Sequence, residues 1–176
     1  MILYLIGYMG CGKSSIGRRA AKAVGVAFLD TDDMVEMECG MTVAEIFARE
    51  GELFFRERER VVLEKIAGRQ DSVIVATGGG MPCHGDNMTL MNESGRTVYL
   101  RFAPEKLVGR IGGGRSKRPL LSGMDGEQMQ AFIKRSLEER EEYYMCAGAV
   151  VECDGLSDEK ICALIVEQAA KNSSIK

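Results

Sequence analysis

The segment Gly7-Tyr8-Met9-Gly10-Cys11-Gly12-Lys13-Ser14 constrains this chain more than any other. It reads GxxxxGK[ST] without a gap, a pattern that a chain of this length meets by chance on the order of once in a hundred. Its context is specific too. Ile2–Ile6 is a short continuous apolar run, as a strand buried on both faces requires, and Ser14–Val24 carries Ile16, Ala20, Ala21 and Val24 at helical spacing. A strand that turns through glycines into a helix aims backbone N–H groups and a helix N-terminus at one point, which suits phosphate oxygens. On that reading Lys13 reaches the β and γ phosphates of a nucleoside triphosphate, and the Ser14 hydroxyl ligates Mg²⁺. Cys11 stands at a wildcard position and is expected to contribute only its N–H. The bland alternative is a glycine turn with an exposed lysine.

The rest of the chain alternates short apolar runs with longer amphipathic stretches. Val26–Leu29 reads as a second strand, Val73–Ala76 as a third, Thr97–Phe102 as a fourth and Ala149–Glu152 as a fifth. Residues 31–69 are helical in pattern with breaks near Gly40 and Gly51, and Thr42 with Glu45 forms the signature of a capping box. Further helices are expected over much of 85–94, over 104–111, 127–146 and 157–171. Strands separated by helices imply βαβ units, hence a mostly parallel sheet covered on both faces, an α/β chain in three α/β/α layers. The length, 176 residues, fits one domain with one core.

Composition excludes several classes. The formal net charge is −3, so the surface is not built to hold nucleic acid or an anionic membrane. The opening MILYLIG is far too short to span a bilayer and lacks a basic flank. Six cysteines form no CxxC pair, and His84 is the single histidine, which argues against zinc and for a reduced, cytoplasmic protein with free thiols.

Carboxylates follow the second strand in Phe28-Leu29-Asp30-Thr31-Asp32-Asp33. In open α/β sheets that end of a strand faces the ligand crevice. The third strand ends in Val75-Ala76-Thr77 without an acid, so Asp30 is the natural carboxylate on the metal side, held through water. Asp32 suits a substrate hydroxyl whose proton it accepts. Asp33 is expected to cap the following helix instead. Gly78-Gly79-Gly80, directly after the third strand, admits close backbone approach to a ligand or is a flexible turn. By pattern alone Arg56, in Phe55-Arg56-Glu57-Arg58-Glu59-Arg60, belongs to a solvated salt-bridged face, and Arg140 among Glu138, Glu139, Glu141 and Glu142 reads the same way. Residues 101–118 are different. Arg101, Lys106, Arg110, Arg115, Lys117 and Arg118 stand against Glu105 alone, and Gly112-Gly113-Gly114 supplies a hinge, so a cationic lid over a polyphosphate is expected at about 110–123.

Taken in order, GYMGCGKS at 7–14, FLDTD at 28–32, FRERE at 55–59, ATGGG at 76–80, RPLL at 118–121 and an Arg with a Tyr pair at 140–144 resemble the shikimate kinase family over nearly the whole chain. The resemblance implies a single P-loop kinase domain with a five-stranded sheet, a substrate-binding helical region at about 31–62 and a lid. It implies ATP- and Mg²⁺-dependent phosphorylation of the 3-hydroxyl of shikimate by a cytoplasmic monomer. Residue by residue, it assigns Gly10, Cys11, Gly12, Lys13, Ser14 and Ser15 to the ATP phosphates, Ser14 and Asp30 to the metal, and Arg110 to the neighbourhood of the adenine. Arg118 becomes the lid arginine on ATP, and Lys13, Asp32 and Arg118 the catalytic group. Asp32, Gly78, Gly79, Gly80, Arg56 and Arg140 contact shikimate, with Glu59 orienting Arg56. After Arg140 the family's Arg–Pro–x–Tyr-like run is replaced by Glu141-Glu142-Tyr143-Tyr144, which leaves Arg135 as an alternative carboxylate ligand. A kinase for another polyol acid such as gluconate, and a nucleotide-binding module without catalysis, are the competing readings.

Overall fold

The computed structural model describes residues 1–112 and 124–171. Strands β1 (Ile2–Ile6), β2 (Ala27–Asp30), β3 (Val73–Ala76), β4 (Arg96–Arg101) and β5 (Ala149–Glu152) form one sheet in the order β2-β3-β1-β4-β5, and every pairing is parallel. Helices α1 (Lys13–Val24), α2 (Thr31–Cys39), α3 (Val43–Arg49), α4 (Gly51–Ala67), α5 (Asn87–Ser94), α6 (Pro104–Gly112), α7 (Gly126–Tyr144) and α8 (Asp158–Lys171) connect and cover it, with a 3₁₀ turn at Met81–Cys83. No helix among the described residues is long and apolar enough to cross a membrane.

Two consecutive residues explain why both faces of the sheet are covered. Side chains of a strand alternate between faces. Leu5 points at Gly17 of α1, whose missing side chain lets the helix approach; a β-carbon there would lie 2.8 Å from the Leu5 side chain and 2.9 Å from that of Phe28. Tyr4 points the other way and its hydroxyl meets Ser94 Oγ of α5 at 3.0 Å. All five residues of β1 are buried, as expected for a central strand that cannot expose either face.

The helical stretch after β2 breaks where its glycines predict. α2 ends at Gly40 and α4 begins at Gly51, both with positive φ, and Thr42 caps α3 through a capping box with Glu45. The cap of α2 differs from the expectation for Asp33. Helix α2 starts immediately after the strand, so Asp30 itself is the N-cap, with its Oδ1 accepting from Asp32 N at 3.1 Å, and Asp33 lies exposed in the first turn. No linker separates β2 from α2, and the cap therefore falls on the last strand residue. Strand β4 also starts one residue earlier than its apolar run, at Arg96.

Candidate active site

The register brings three strand ends together. Leu5 of β1 and Asp30 of β2 both pair with Ala76 of β3. The phosphate loop leaves β1 one residue after Ile6, so it comes to lie beside Asp30 and the glycines after β3. Thr77 ties β3 to β1, its N and Oγ1 each donating to the Leu5 carbonyl at 3.1 Å. Thr31 ties β3 to α2, its Oγ1 accepting from Gly78 N at 2.8 Å. A cleft of about 580 Å³ opens over these ends, lined by Lys13, Ser14, Asp30, Asp32, Gly79 and Arg110 among others.

Within the loop, Gly12 caps α1 at φ 98°, a left-handed backbone, and a β-carbon there would sit 2.7 Å from Ile16 Cδ1. Only glycine fits both demands. Lys13 is buried, and its ammonium arcs back to donate to the carbonyls of Gly7 at 2.7 Å and Tyr8 at 3.0 Å. Ser14 Oγ donates to Asp30 Oδ2 at 2.6 Å. Asp30 thus spends one oxygen on the cap of α2 and the other on Ser14. The Cys11 side chain is fully buried below the loop, 3.2 Å from where a Gly7 β-carbon would be. Its Sγ lies 3.7 Å from Lys13 Nζ. Ser15 Oγ donates back to the Gly12 carbonyl at 3.3 Å.

Arg110, at the end of α6, lies against the same loop. Its Nε donates to the Gly10 carbonyl at 3.2 Å, its Nη2 pairs with Asp158 Oδ1 at 2.9 Å, and its guanidinium stacks 4.9 Å from the Phe102 ring centroid. Arg118, with the expected lid contacts of Arg115 and Lys117, lies outside the described residues.

On the other side of the loop, acids and arginines converge on Gly78-Gly79-Gly80. Helix α4 buries Phe55, Glu59, Val62, Leu63 and Ile66, a stripe at helical spacing into which Glu59 falls. The alternating charge run is therefore not a uniform solvated face. Arg56, one turn before Glu59, donates to Glu59 Oε2 at 2.6 Å and to Glu52 Oε1 at 2.9 Å, and a Gly80 β-carbon would lie 2.8 Å from its Nη1. Arg60 follows the solvated pattern, paired with Glu64 and Asp86.

Burial pushes the Asp32 carboxyl up to about 6; the neighbouring charge of Asp30 adds to this and Lys13 opposes it. Burial likewise raises Glu59, to about 7, against the pull of Arg56 and with help from Asp32. Asp32 Oδ1 and Glu59 Oε1 are buried and have no hydrogen-bond partner among the described residues. Unpaired buried acceptors are costly, and a pair of them beside a cleft leaves room for a donor from water or a ligand.

Helix α7 closes the site. Arg140 extends towards Gly79, 3.9 Å from its would-be β-carbon, with its guanidinium 5.5 Å from the Tyr8 ring centroid. Arg135 is exposed on another part of α7, beside Met124, Gln128 and Phe132. Of the two arginines left open by the sequence, the helical phase brings Arg140 towards Gly79. Three participants had no separate signal in the sequence. Thr31 and Asp158 are single polar residues whose partners, Gly78 and Arg110, are distant in the chain. Tyr144, whose hydroxyl donates to the Gly79 carbonyl at 2.6 Å, is half of a Tyr pair.

A parallel five-stranded sheet with a glycine phosphate loop after its central strand, and a second polar site beside that loop, defines a P-loop kinase fold. Comparison with known proteins narrows this. A family model described as shikimate kinase matches residues 9–170, and this chain belongs to the shikimate kinase family. It is 42% identical over 157 residues to the shikimate kinase of Parabacteroides distasonis, covering 89% of this chain and 90% of that one. The crystal structure of the Bacteroides thetaiotaomicron shikimate kinase is similar with a TM-score of 0.89 at 35% identity over 99% of both chains. The solved structure of the Acinetobacter baumannii shikimate kinase in complex with shikimate gives 0.85 at 33% identity, over 99% of this chain and 95% of that one.

Proposed function

We propose that this chain transfers the γ-phosphoryl group of ATP to the 3-hydroxyl of shikimate, giving shikimate 3-phosphate and ADP on the route to chorismate and the aromatic amino acids. The observation that carries the reading is the convergence of Asp32, Arg56 with Glu59, and Arg140 on three consecutive glycines beside the phosphate loop.

Shikimate offers one carboxylate and three ring hydroxyls. Arg56 and Arg140 suit the carboxylate, because a guanidinium fork donates two parallel hydrogen bonds. Glu59 holds the Arg56 fork in place. Asp32 suits the hydroxyl: its unpaired Oδ1 accepts the hydroxyl hydrogen and draws the proton as the phosphoryl group arrives. The glycines leave room for the ring against the backbone. Gly10 to Ser15 cradle the nucleotide phosphates, Lys13 stabilises charge that develops on the transferred group, and Arg110 flanks the nucleotide end of the cleft.

The donor set at the loop fits Mg²⁺. Ser14 Oγ and Asp30 Oδ2 are hard oxygens 2.6 Å apart, and no cluster of three or more His, Cys, Asp or Glu that would hold a metal occurs among the described residues. Such a partial shell suits an ion that keeps water and nucleotide phosphates as its remaining ligands. When bound there, Mg²⁺ neutralises charge on the β and γ phosphates. Ser14 would be the direct ligand, with Asp30 holding the ion through water.

In this reading the chain is one kinase domain, with helices α2 to α4 as the substrate-binding region at about 31–62 and a lid at about 110–123. The free cysteines support a cytoplasmic compartment, the net charge of −3 argues against a surface built for nucleic acid or an anionic membrane, and membership of the family is the ground for proposing a monomer. Sedimentation of the purified chain tests the monomer.

The deciding experiment is ADP release from ATP-Mg²⁺ with and without shikimate, with the product identified by ³¹P NMR. Shikimate-dependent release with a new phosphomonoester is expected. Release driven by gluconate instead would favour the other polyol-acid kinase, and tight ATP binding without turnover would favour a regulatory module.

A further inference from the structure

Tyr144 lies at the last residue of α7, four residues after Arg140, so the two share a face of the helix. The side chain is fully buried, whereas its twin Tyr143 is partly exposed. Its hydroxyl donates to the Gly79 carbonyl at 2.6 Å. The Arg140 guanidinium, whose Nη1 comes 3.9 Å from a would-be Gly79 β-carbon, lies near enough to the same hydroxyl to oppose the upward push of burial on it. One hydroxyl therefore holds the central glycine of the GGG loop and lies near the arginine that approaches that glycine.

The ring is fixed independently of the hydroxyl. It packs against Tyr99 with centroids 5.0 Å apart, and Tyr99 donates to Glu141 Oε2 at 2.8 Å. Glu141 in turn pairs with Arg101 at 2.9 Å. Tyr99 and Arg101 belong to β4, so the end of α7 is anchored to the sheet through two aromatic rings and an ion pair. This leaves the Tyr144 hydroxyl at a set position rather than on a swinging side chain.

We infer that Tyr144 is a positioning residue for the acceptor substrate: its hydroxyl holds the Gly79 carbonyl and the Arg140 guanidinium in one arrangement, and so sets the substrate-carboxylate end of the site. The inference rests on the proposed shikimate phosphorylation. A guanidinium on a long flexible side chain binds a carboxylate well only if its orientation is settled beforehand. Glu59 does this for Arg56, and Tyr144 does it for Arg140 with a neutral oxygen. Arg140 then keeps its full charge for the ligand.

Tyr144→Phe removes the hydroxyl and keeps the ring in the Tyr99 stack. The wild type, Tyr144→Phe, Arg140→Ala and the double variant are compared by steady-state kinetics with shikimate and ATP varied separately, and by thermal melting. The expected result is a KM for shikimate raised on the order of tenfold in Tyr144→Phe, the cost of a hydrogen bond or so, with the KM for ATP unchanged. In the Arg140→Ala background the same substitution should change the KM for shikimate less than twofold. A lowered melting temperature with unchanged KM for shikimate makes Tyr144 purely structural and overturns the inference. So does a tenfold rise that persists without Arg140. If the wild type shows no shikimate-dependent turnover, the functional reading itself fails, which is a separate result visible before any variant is made.

Discussion

Asp32 and Glu59 close on Gly78 from two sides: a β-carbon on that glycine would lie 2.7 Å from Asp32 Oδ1 and 2.6 Å from Glu59 Oε1. The two carboxylates come from different helices, α2 and α4, and the glycine between them is the first residue of the GGG run. Its lack of a side chain lets Asp32 and Glu59, the partner of Arg56, occupy one small volume. Gly78→Ala should leave the fold intact, since only side-chain ends obstruct the methyl group. It should displace both acids and lower kcat/KM for shikimate at least about tenfold, equivalent to about 1.4 kcal/mol, with the KM for ATP little changed. Steady-state kinetics with each substrate varied in turn check this.

The raised Asp32 carboxyl gives a pH signature. A group that must be ionised to accept a proton, with its carboxyl raised to about 6 in the free protein, makes kcat/KM for shikimate fall as pH drops through about 6. A profile of kcat/KM against pH that stays flat down to pH 4.5 would remove Asp32 from that role.

Stability should move against activity at the same residue. The Asp32 carboxyl is raised in the fold from an ordinary value of 3.8 to about 6. The folded state therefore favours the protonated form, and ionisation weakens the fold. This penalty is absent below about pH 4, grows as pH rises and is complete above about pH 6. Asp32→Asn removes it at neutral pH. The variant should be more stable than wild type by up to about 3 kcal/mol at pH 7 to 8, with the gain shrinking towards pH 4, while kcat drops at least about a hundredfold. Denaturant melts at several pH values measure the first effect and turnover the second.

Lys13 is held across its own loop by the Gly7 and Tyr8 carbonyls. Its charge is thus placed before any phosphate arrives. Lys13→Ala should lower kcat by about two to three orders of magnitude with circular dichroism unchanged. Near-normal turnover in the folded variant would exclude transition-state stabilisation by this ammonium.

Arg56 bridges Glu52 and the buried Glu59. Arg56→Ala should raise the KM for shikimate strongly and leave ATP binding nearly unchanged. It should also lower the melting temperature, because Glu59 then loses its cation in a buried place. A shikimate analogue with the carboxylate reduced to an alcohol should be a poor substrate of the wild type and lose little further in the variant. Measuring kcat/KM for both compounds on both proteins is the check. An equal loss for both would mean that Arg56 does not hold the carboxylate.

The amino-acid sequence alone determines the phosphate loop, the parallel α/β class and most element positions. These depend on local rules: glycines where φ is positive, apolar runs for buried strands, helical spacing for amphipathic stretches. β3 and β5 fall where their apolar runs place them, and the capping box at Thr42 needs only residues three apart. The acceptor site was legible mainly through resemblance. By pattern alone Arg56 and Arg140 look like surface ion pairs, because a charge run does not reveal which of its members turns inward. Only the packing of α4 against the core decides that Glu59 is buried and so draws Arg56 to Gly80. Only the phase of α7, fixed by Tyr144 against Tyr99, decides that Arg140 rather than Arg135 meets Gly79. Asp30 takes both a cap and a loop contact because strand register sets it beside Ser14, at a sequence separation no local rule spans. Local backbone preference writes the elements; burial and register, which act between residues far apart in the chain, select the charged side chains that face the cleft.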